Sequence, residues 1–318
     1  MTADRYKTVI VTGAAGFIGS RVVAHLAEAP NAPDRIVALD VREGSDDRVE
    51  WIRCDLADAA RTAAILSEVS PDGIIHLAGV AGAPDLGSFF AANVQAAANL
   101  LAAAAALPRP PRVLVAGSAA QYGVTSGQGE VVDESHPLMG ATPYAVTKTL
   151  QEKWALVYAA ARTLPVTAVR LFNVMGPGQP PSLVPAAFLH QVAEVLDGRA
   201  AEVRVGNTMT RRDFLDARDV AAALCSLMNA EERAEGQVFN VASGEPVRIA
   251  DMLDACLRLA GRAVPVRQDP ARLRITDVET VVGDARRLRT VTGWQPAISW
   301  QRSLADSWQW LRTGRGGT

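Results

Sequence analysis

A doubly wound α/β fold, with a mostly parallel sheet covered by helices on both faces, is predicted by three features of this 318-residue chain. Short apolar runs alternate with stretches that carry apolar residues at helical spacing through the first half. A glycine-rich turn, TGAAGFIG, joins the first apolar run to the first helical stretch. The second apolar run, RIVALD, ends on a carboxylate, Asp40. Repeated strand–helix–strand units of this kind line up successive strands in parallel.

In order, TVIVTG, RIVALD, WIRCDL, GIIHLAG, RVLVAGS and VTAVRLFN are each bounded by charges, Gly or Pro and read as buried strands. The first helix presents Phe17, Ile18, Val22, Val23 and Leu26 at helical spacing. After about residue 174 the pattern changes. MGPGQPPSLVP is rich in Pro and Gly, and the elements that follow are shorter and less regular. GQVFNVAS, near residues 236–243, reads as a later strand that rejoins the main sheet. The expected division is a dinucleotide-binding domain over residues 1–173, then a smaller, partly interleaved α/β substrate domain over 174–318. The closing RTGRGGT reads as a loose tail.

Composition narrows the function classes. Hydrophobic residues make up 49% and charged residues 21%, and the net charge of −2 carries no cationic footprint for nucleic acid. Cys54, Cys225 and Cys256 are widely spaced and odd in number, so neither a disulfide framework nor a metal site follows from them. They read as reduced thiols of a cytoplasmic protein. The opening MTADRYKTVIVTG has no signal-peptide pattern, and AANVQAAANLLAAAAALP, broken by Asn, Gln and Pro, reads as no membrane span.

Gly13, Gly16 and Gly19 stand between a strand and a helix, where backbone N–H groups can approach a pyrophosphate at the helix N-terminus. The spacing departs from G-x-G-x-x-G, but the physics is that of a Rossmann-type phosphate loop. Asp40 can hold both adenosine ribose hydroxyls and would repel a 2′-phosphate, which favours NAD. Arg42, two residues on, makes NADP possible; its alternative reading is a solvated surface arginine. A further pattern is PYAVTK. The chain has three lysines and four tyrosines, so Tyr-x-x-x-Lys arises in roughly 0.04 of shuffled chains.

TGAAGFIG, CDL, HLAG, NV at 93–94, GSAAQYG, PYAVTK, RLFNVMGPGQ and RRDF, in this order over about residues 8–311, resemble the extended short-chain dehydrogenases/reductases of the nucleotide-sugar epimerase/dehydratase group. The resemblance implies that Gly13, Gly16, Phe17, Ile18 and Gly19 cradle the cofactor and that Asp55 and Leu56 flank its adenine. Leu77, Ala78, Gly79 and Asn93 should line the cofactor groove. Ser118, Tyr144 and Lys148 become the catalytic trio, Asn173 and Arg212 grip the substrate diphosphate, and Val184 lies in the loop that meets the base. An ion pair with Asp213 or Asp216 is the duller reading of Arg212. The group also commonly dimerises through two helices, here the Ala-rich one near 90–106 and the Tyr144 helix.

The chemistry agrees with those roles. Ser118 ends a predicted strand, and ligands of open α/β sheets bind at strand carboxyl ends. Tyr144 and Lys148 share one helix face. A free tyrosine has a pKa near 10, so a lysine cation nearby is expected to favour phenolate for proton exchange with a sugar oxygen.

Three second-half segments, RLFNVMGPGQPPSLVPAAFLHQVAEV, VRVGNTMTRRDFLDARDVAAAL and VVGDARRLRTVTGWQPAISW, resemble GDP-4-keto-6-deoxy-mannose reductases. Related 4,6-dehydratases carry an acid two residues after the catalytic Ser or Thr. Ala120 stands there, so no base for elimination is present. The leading expectation is NAD(P)-dependent reduction of a 4-keto-6-deoxy nucleotide sugar. An NAD-dependent 4-epimerase of UDP-hexose type is the alternative, and a non-catalytic dinucleotide sensor is the remote one.

Overall fold

The computed structural model describes residues 6–44, 46–123, 131–272 and 280–314. The chain begins with β1 (Thr8–Thr12), α1 (Phe17–Glu28), β2 (Arg35–Asp40), β3 (Glu50–Arg53), α2 (Ala59–Val69) and β4 (Gly73–His76). A continuous helical run follows: α3 (Leu86–Phe90), a π-helical stretch (Ala91–Gln95) and α4 (Ala96–Ala105). Then come β5 (Arg112–Ser118), a 3-10 turn (Ala119–Tyr122), β6 (Val131–Val132) and α5 (Pro143–Ala160). The middle contains β7 (Val166–Leu171), β8 (Asn173–Met175), α6 (Ala186–Leu196), β9 (Val203–Val205), β10 (Arg211–Asp216), α7 (Ala217–Met228) and β11 (Val238–Val241). The last part contains β12 (Pro246–Arg248), α8 (Ile249–Leu259), β13 (Val266–Gln268), β14 (Thr280–Gly283), α9 (Arg286–Thr292) and α10 (Trp300–Thr313).

Among the described residues, seven strands form one sheet in the order β3-β2-β1-β4-β5-β7-β11, every pair parallel. Its central strands are buried on both faces, which is why they read as unbroken Val/Ile runs. Successive side chains alternate between two cores. Val9 and Val11 join Val22 and Leu224 on the α1/α7 face, while Ile10 joins Leu100 and Leu101 on the opposite one. The run Leu86–Ala105 is long and apolar enough to cross a membrane by length and composition. Here its α4 part packs on α2 and α5, burying Ala97, Leu100 and Leu101.

The second sheet joins β12-β10-β14-β6, with β8 also on β10. It therefore draws β6 from the middle of the chain, while β11 pairs with β7 in the large sheet. Helices α6, α8 and α10 cover a third apolar core built around Phe188, Leu189, Met252 and Leu304.

The expectation of a loose tail over RTGRGGT fails at its first two residues. Arg312 and Thr313 belong to α10, because Trp308 and Leu311 dock on the third core and Arg312 pairs with Asp197 at 2.9 Å. Residues 315–318 lie outside the described ones. The three cysteines are free and buried.

Candidate active site

Strand order reverses between β1 and β4, and a crevice opens at that switch point beyond their carboxyl ends. A cleft of about 620 Å³ lies there. Its floor comes from the glycine loop. Gly13 has φ of 67° and packs so closely that a Cβ would stand 2.8 Å from the Ala78 nitrogen; a Cβ on Gly19 would overlap the Gly13 carbonyl. Gly16 caps α1 with no side-chain bond, and the first turn holds no acidic residue. The positive end of α1, formed by Gly16, Phe17, Ile18 and Gly19, is thus left at the cleft for an anion.

Asp40 ends β2 at the cleft edge. Its carboxylate accepts the Ala15 N–H at 3.0 Å and the Arg42 N–H at 3.0 Å. The exposed Arg42 guanidinium donates to the Ala15 carbonyl at 3.0 Å and lies 3.7 Å from Asp40. Asp55 and Leu56 form the wall beside it, and Leu77, Ala78 and Gly79 continue that wall from the end of β4. An uncapped helix start, a close-packed glycine loop and a ribose-reaching carboxylate suit a dinucleotide.

Ser118, Tyr144 and Lys148 meet at the other end of the same cleft. Ser118 is the last residue of β5. Tyr144 sits in the first turn of α5, which Thr142 caps through the Ala145 N–H at 3.2 Å and Pro143 opens. The Ser118 and Tyr144 hydroxyls are hydrogen-bonded. Burial nevertheless raises the Tyr144 pKa above its ordinary value, and the Ser118 bond only opposes this. Lys148 is buried; its Nζ donates to the Ala116 carbonyl at 2.9 Å and to Gln151 Oε1 at 2.8 Å. Desolvation lowers its ammonium to about 8. The bonds of the Lys148 ammonium thus run to Ala116 and Gln151, on the strand and helix that carry Ser118 and Tyr144.

Four further expected residues stand off the cleft wall. Asn93 is fully buried and braces the loop after β4: it accepts the Val80 N–H at 2.8 Å and donates to the Val80 carbonyl and Thr147, both at 3.0 Å. Asn173, exposed on β8, donates to the Asp213 carbonyl at 2.9 Å. Val184 packs against the third core, while its neighbour Leu183 lines the cleft. Arg212, on β10, donates to the Arg211 carbonyl at 2.7 Å. Nearby, Asp213 accepts from Ser243, Gly244 and Gly283, and Asp216 binds Arg218.

Sequence reasoning missed a polar group behind the trio. Gln121, Glu152 and Arg170 are all buried and bonded to one another. Two signals were available. Arg170 is the one charge in the buried strand VTAVRL, and Glu152 lies four residues beyond Lys148 on the same helix face. His76 is also buried. Its Nδ1 meets Thr12 Oγ1 at 2.8 Å, and burial, then the Lys148 charge, lowers it to about 3, so it is neutral.

Comparisons with known proteins agree with this geometry. Residues 9–242 match the family described as NAD dependent epimerase/dehydratase. A GDP-6-deoxy-D-mannose reductase of Pseudomonas aeruginosa is 32% identical over 306 residues, covering 94% of this chain and 95% of that protein. Among solved structures, RMD from Pseudomonas aeruginosa complexed with NADPH superposes with a TM-score of 0.82 at 30% identity, covering 95% of this chain and 99% of the other. A Thermus thermophilus UDP-glucose 4-epimerase complexed with NAD gives a TM-score of 0.83 at 28% identity, covering 97% and 100%. By this match over residues 9–242 and this identity, the chain belongs to the NAD dependent epimerase/dehydratase family.

Proposed function

We propose that this chain is an NAD(P)H-dependent reductase of a nucleotide-diphosphate sugar, acting on a 4-keto-6-deoxy sugar of the GDP-4-keto-6-deoxy-mannose type. The observation that carries the reading is the Ser118–Tyr144–Lys148 trio at the cleft of a chain 32% identical, over 94% of its length, to a GDP-6-deoxy-D-mannose reductase. Reducing a ketone needs an acid at its oxygen, which a tyrosine phenol can supply. Gly13, Gly16, Phe17, Ile18, Gly19, Asp40, Asp55, Leu56, Leu77, Ala78 and Gly79 would hold the cofactor, with NAD or NADP admitted by the Asp40–Arg42 pair. When bound, the reduced nicotinamide supplies the hydride for the ketone carbon. Tyr144 gives its phenolic proton to the ketone oxygen, and the Ser118 hydroxyl holds that oxygen in place. Lys148 neutralises the phenolate left behind. Asn93 acts from behind the wall by fixing Val80. Asn173, Val184 and Arg212, which stand off the cleft wall, are taken as the residues that would meet the nucleotide diphosphate.

The 4-epimerase reading keeps one support: a carboxylate at Asp40 suits tightly held NAD. The sensor reading has none, since the full trio is assembled at the cleft. We take residues 1–173 with β11 as the cofactor domain, residues 174–318 as the substrate domain, and the protein as a cytoplasmic homodimer. An apolar stripe supports the dimer: Leu86 and Phe90 of α3, with Val146, Leu150, Trp154 and Val157 of α5, are large, apolar and exposed.

The function is tested by following 340 nm absorbance with NADH, and separately NADPH, mixed with enzyme and GDP-4-keto-6-deoxy-mannose. Stoichiometric loss that falls about 1000-fold in rate in Tyr144→Phe is the expected result. No loss with either cofactor contradicts it.

A further inference from the structure

Ser118 makes few contacts of its own. Its hydroxyl accepts the Ala120 N–H at 3.2 Å and bonds Tyr144, so something else must set the turn that carries it. The Ser118 backbone N–H donates to Gln121 Oε1 at 2.8 Å. The other end of that amide, Nε2, donates to Glu152 Oε2 at 2.8 Å. Arg170 grips Glu152 from the far side with two bonds, Nη2 to Oε1 at 2.7 Å and Nε to Oε2 at 2.9 Å. All three side chains are buried: Gln121 is 0%, Glu152 1% and Arg170 4% exposed.

We propose that Gln121, oriented by the Glu152–Arg170 pair, is the positioning residue that aims Ser118 at the sugar oxygen. The inference rests on the reading of Ser118 given above. The two ends of an amide are chemically different, and an ionised carboxylate only accepts. With Glu152 facing it, Gln121 must present its NH2 group there, and its oxygen is left to take the Ser118 N–H. Gly117 makes room for that amide: a Cβ there would overlap Gln121 Oε1. The turn is clamped again one residue on, where Arg170 donates to Tyr122 Oη at 3.0 Å and Tyr122 donates to Asn240 Oδ1 at 2.6 Å. Glu152 stands on the same α5 face as Tyr144 and Lys148, so one helix carries the acid and orients the amide that places its partner.

The test is a kinetic cycle with NADPH and GDP-4-keto-6-deoxy-mannose, using Ser118→Ala, Gln121→Leu and the double variant. Thermal unfolding and NADPH binding by fluorescence are followed alongside. Gln121→Leu is expected to lower kcat about 10-fold, with KM and NADPH affinity within about twofold, because only the placement of Ser118 is lost. In the Ser118→Ala background the same change should cost nothing further. Gln121→Glu, close in size, supplies a second arm if the leucine variant does not fold. Its new carboxyl meets Glu152 as a like charge at neutral pH, but once protonated it can donate to Glu152 and accept from Ser118 as the amide does. Its kcat should therefore recover as pH falls from 8 to 5, relative to the parent. Equal losses in both backgrounds, or no recovery at low pH, would overturn the positioning role and leave the reductase reading standing. A Ser118→Ala variant with parental kcat would overturn the role of Ser118 and its positioning together, whereas no turnover by the parent enzyme would overturn the reductase reading.

Discussion

Lys148 is the residue on which the site's electrostatics turn. Its ammonium is 5% exposed and bonded only to neutral oxygens, and burial lowers it from 10.5 to about 8. The folded state therefore binds this proton less tightly than the unfolded chain does. Below about 8 both states are charged and the full burial cost is present; between about 8 and 10.5 the unfolded chain holds more protons, so this group adds stability as pH rises. The same proton is needed for turnover, because a neutral amine cannot offset the phenolate that Tyr144 becomes. We expect kcat/KM, which reports groups of the free enzyme, to fall above pH of about 8. Lys148→Met should be slow throughout and lack this limb. A parental profile that stays flat to pH 10 would contradict the assignment. The Tyr144–Lys148 pair was legible as two residues one helical turn apart. The Lys148–Ala116 bond was not, because Ala116 is brought to the lysine by packing of α5 on β5, while Gln151 lies one turn further along α5 itself.

At the scale of the element, α5 serves two surfaces. One face presents Tyr144, Lys148 and Glu152 inward, while the other leaves Val146, Leu150, Trp154 and Val157 exposed, with α3 beside them. A stripe of this kind on packed neighbouring helices is the face through which the proposed dimer would form. Replacing Leu150 and Trp154 together by Glu should halve the mass seen by light scattering and leave the unfolding midpoint of the monomer cooperative. An unchanged mass would contradict the dimer through this face. The helix and its Thr142–Pro143 start can be read locally, since capping and proline placement depend on neighbours in sequence. Asn93 shows the limit of such reading. The Asn-Val pair was visible, but whether its amide faced the cleft or Val80 depended on how the run Leu86–Ala105 docks against the loop after β4.

At the scale of the whole molecule, the two sheets differ in how openly the sequence declares them. The central strands of the large sheet are buried on both faces and appear as apolar runs between glycines and charges. Strands of the smaller sheet are short, β6 having two residues and β8 three, and they come together from positions as far apart as Val131 and Gly283. No local pattern encodes that pairing; Val132 and Val281 pack on the α1/α7-face core, and Asn240 of β11 donates to the Val132 carbonyl at 3.0 Å, tying β6 to the large sheet. The central claim is that this assembly delivers a hydride and a proton to a ketone and releases the cofactor oxidised. The most direct measurement is the mass of the product formed from GDP-4-keto-6-deoxy-mannose with NADPH, or NADH, deuterated at the transferable nicotinamide position. Product carrying one deuterium at the sugar's C4, formed mole for mole with oxidised cofactor, is the predicted result. Product without deuterium, or an inverted hydroxyl in a UDP-hexose with no cofactor consumed, would contradict it and point to the epimerase.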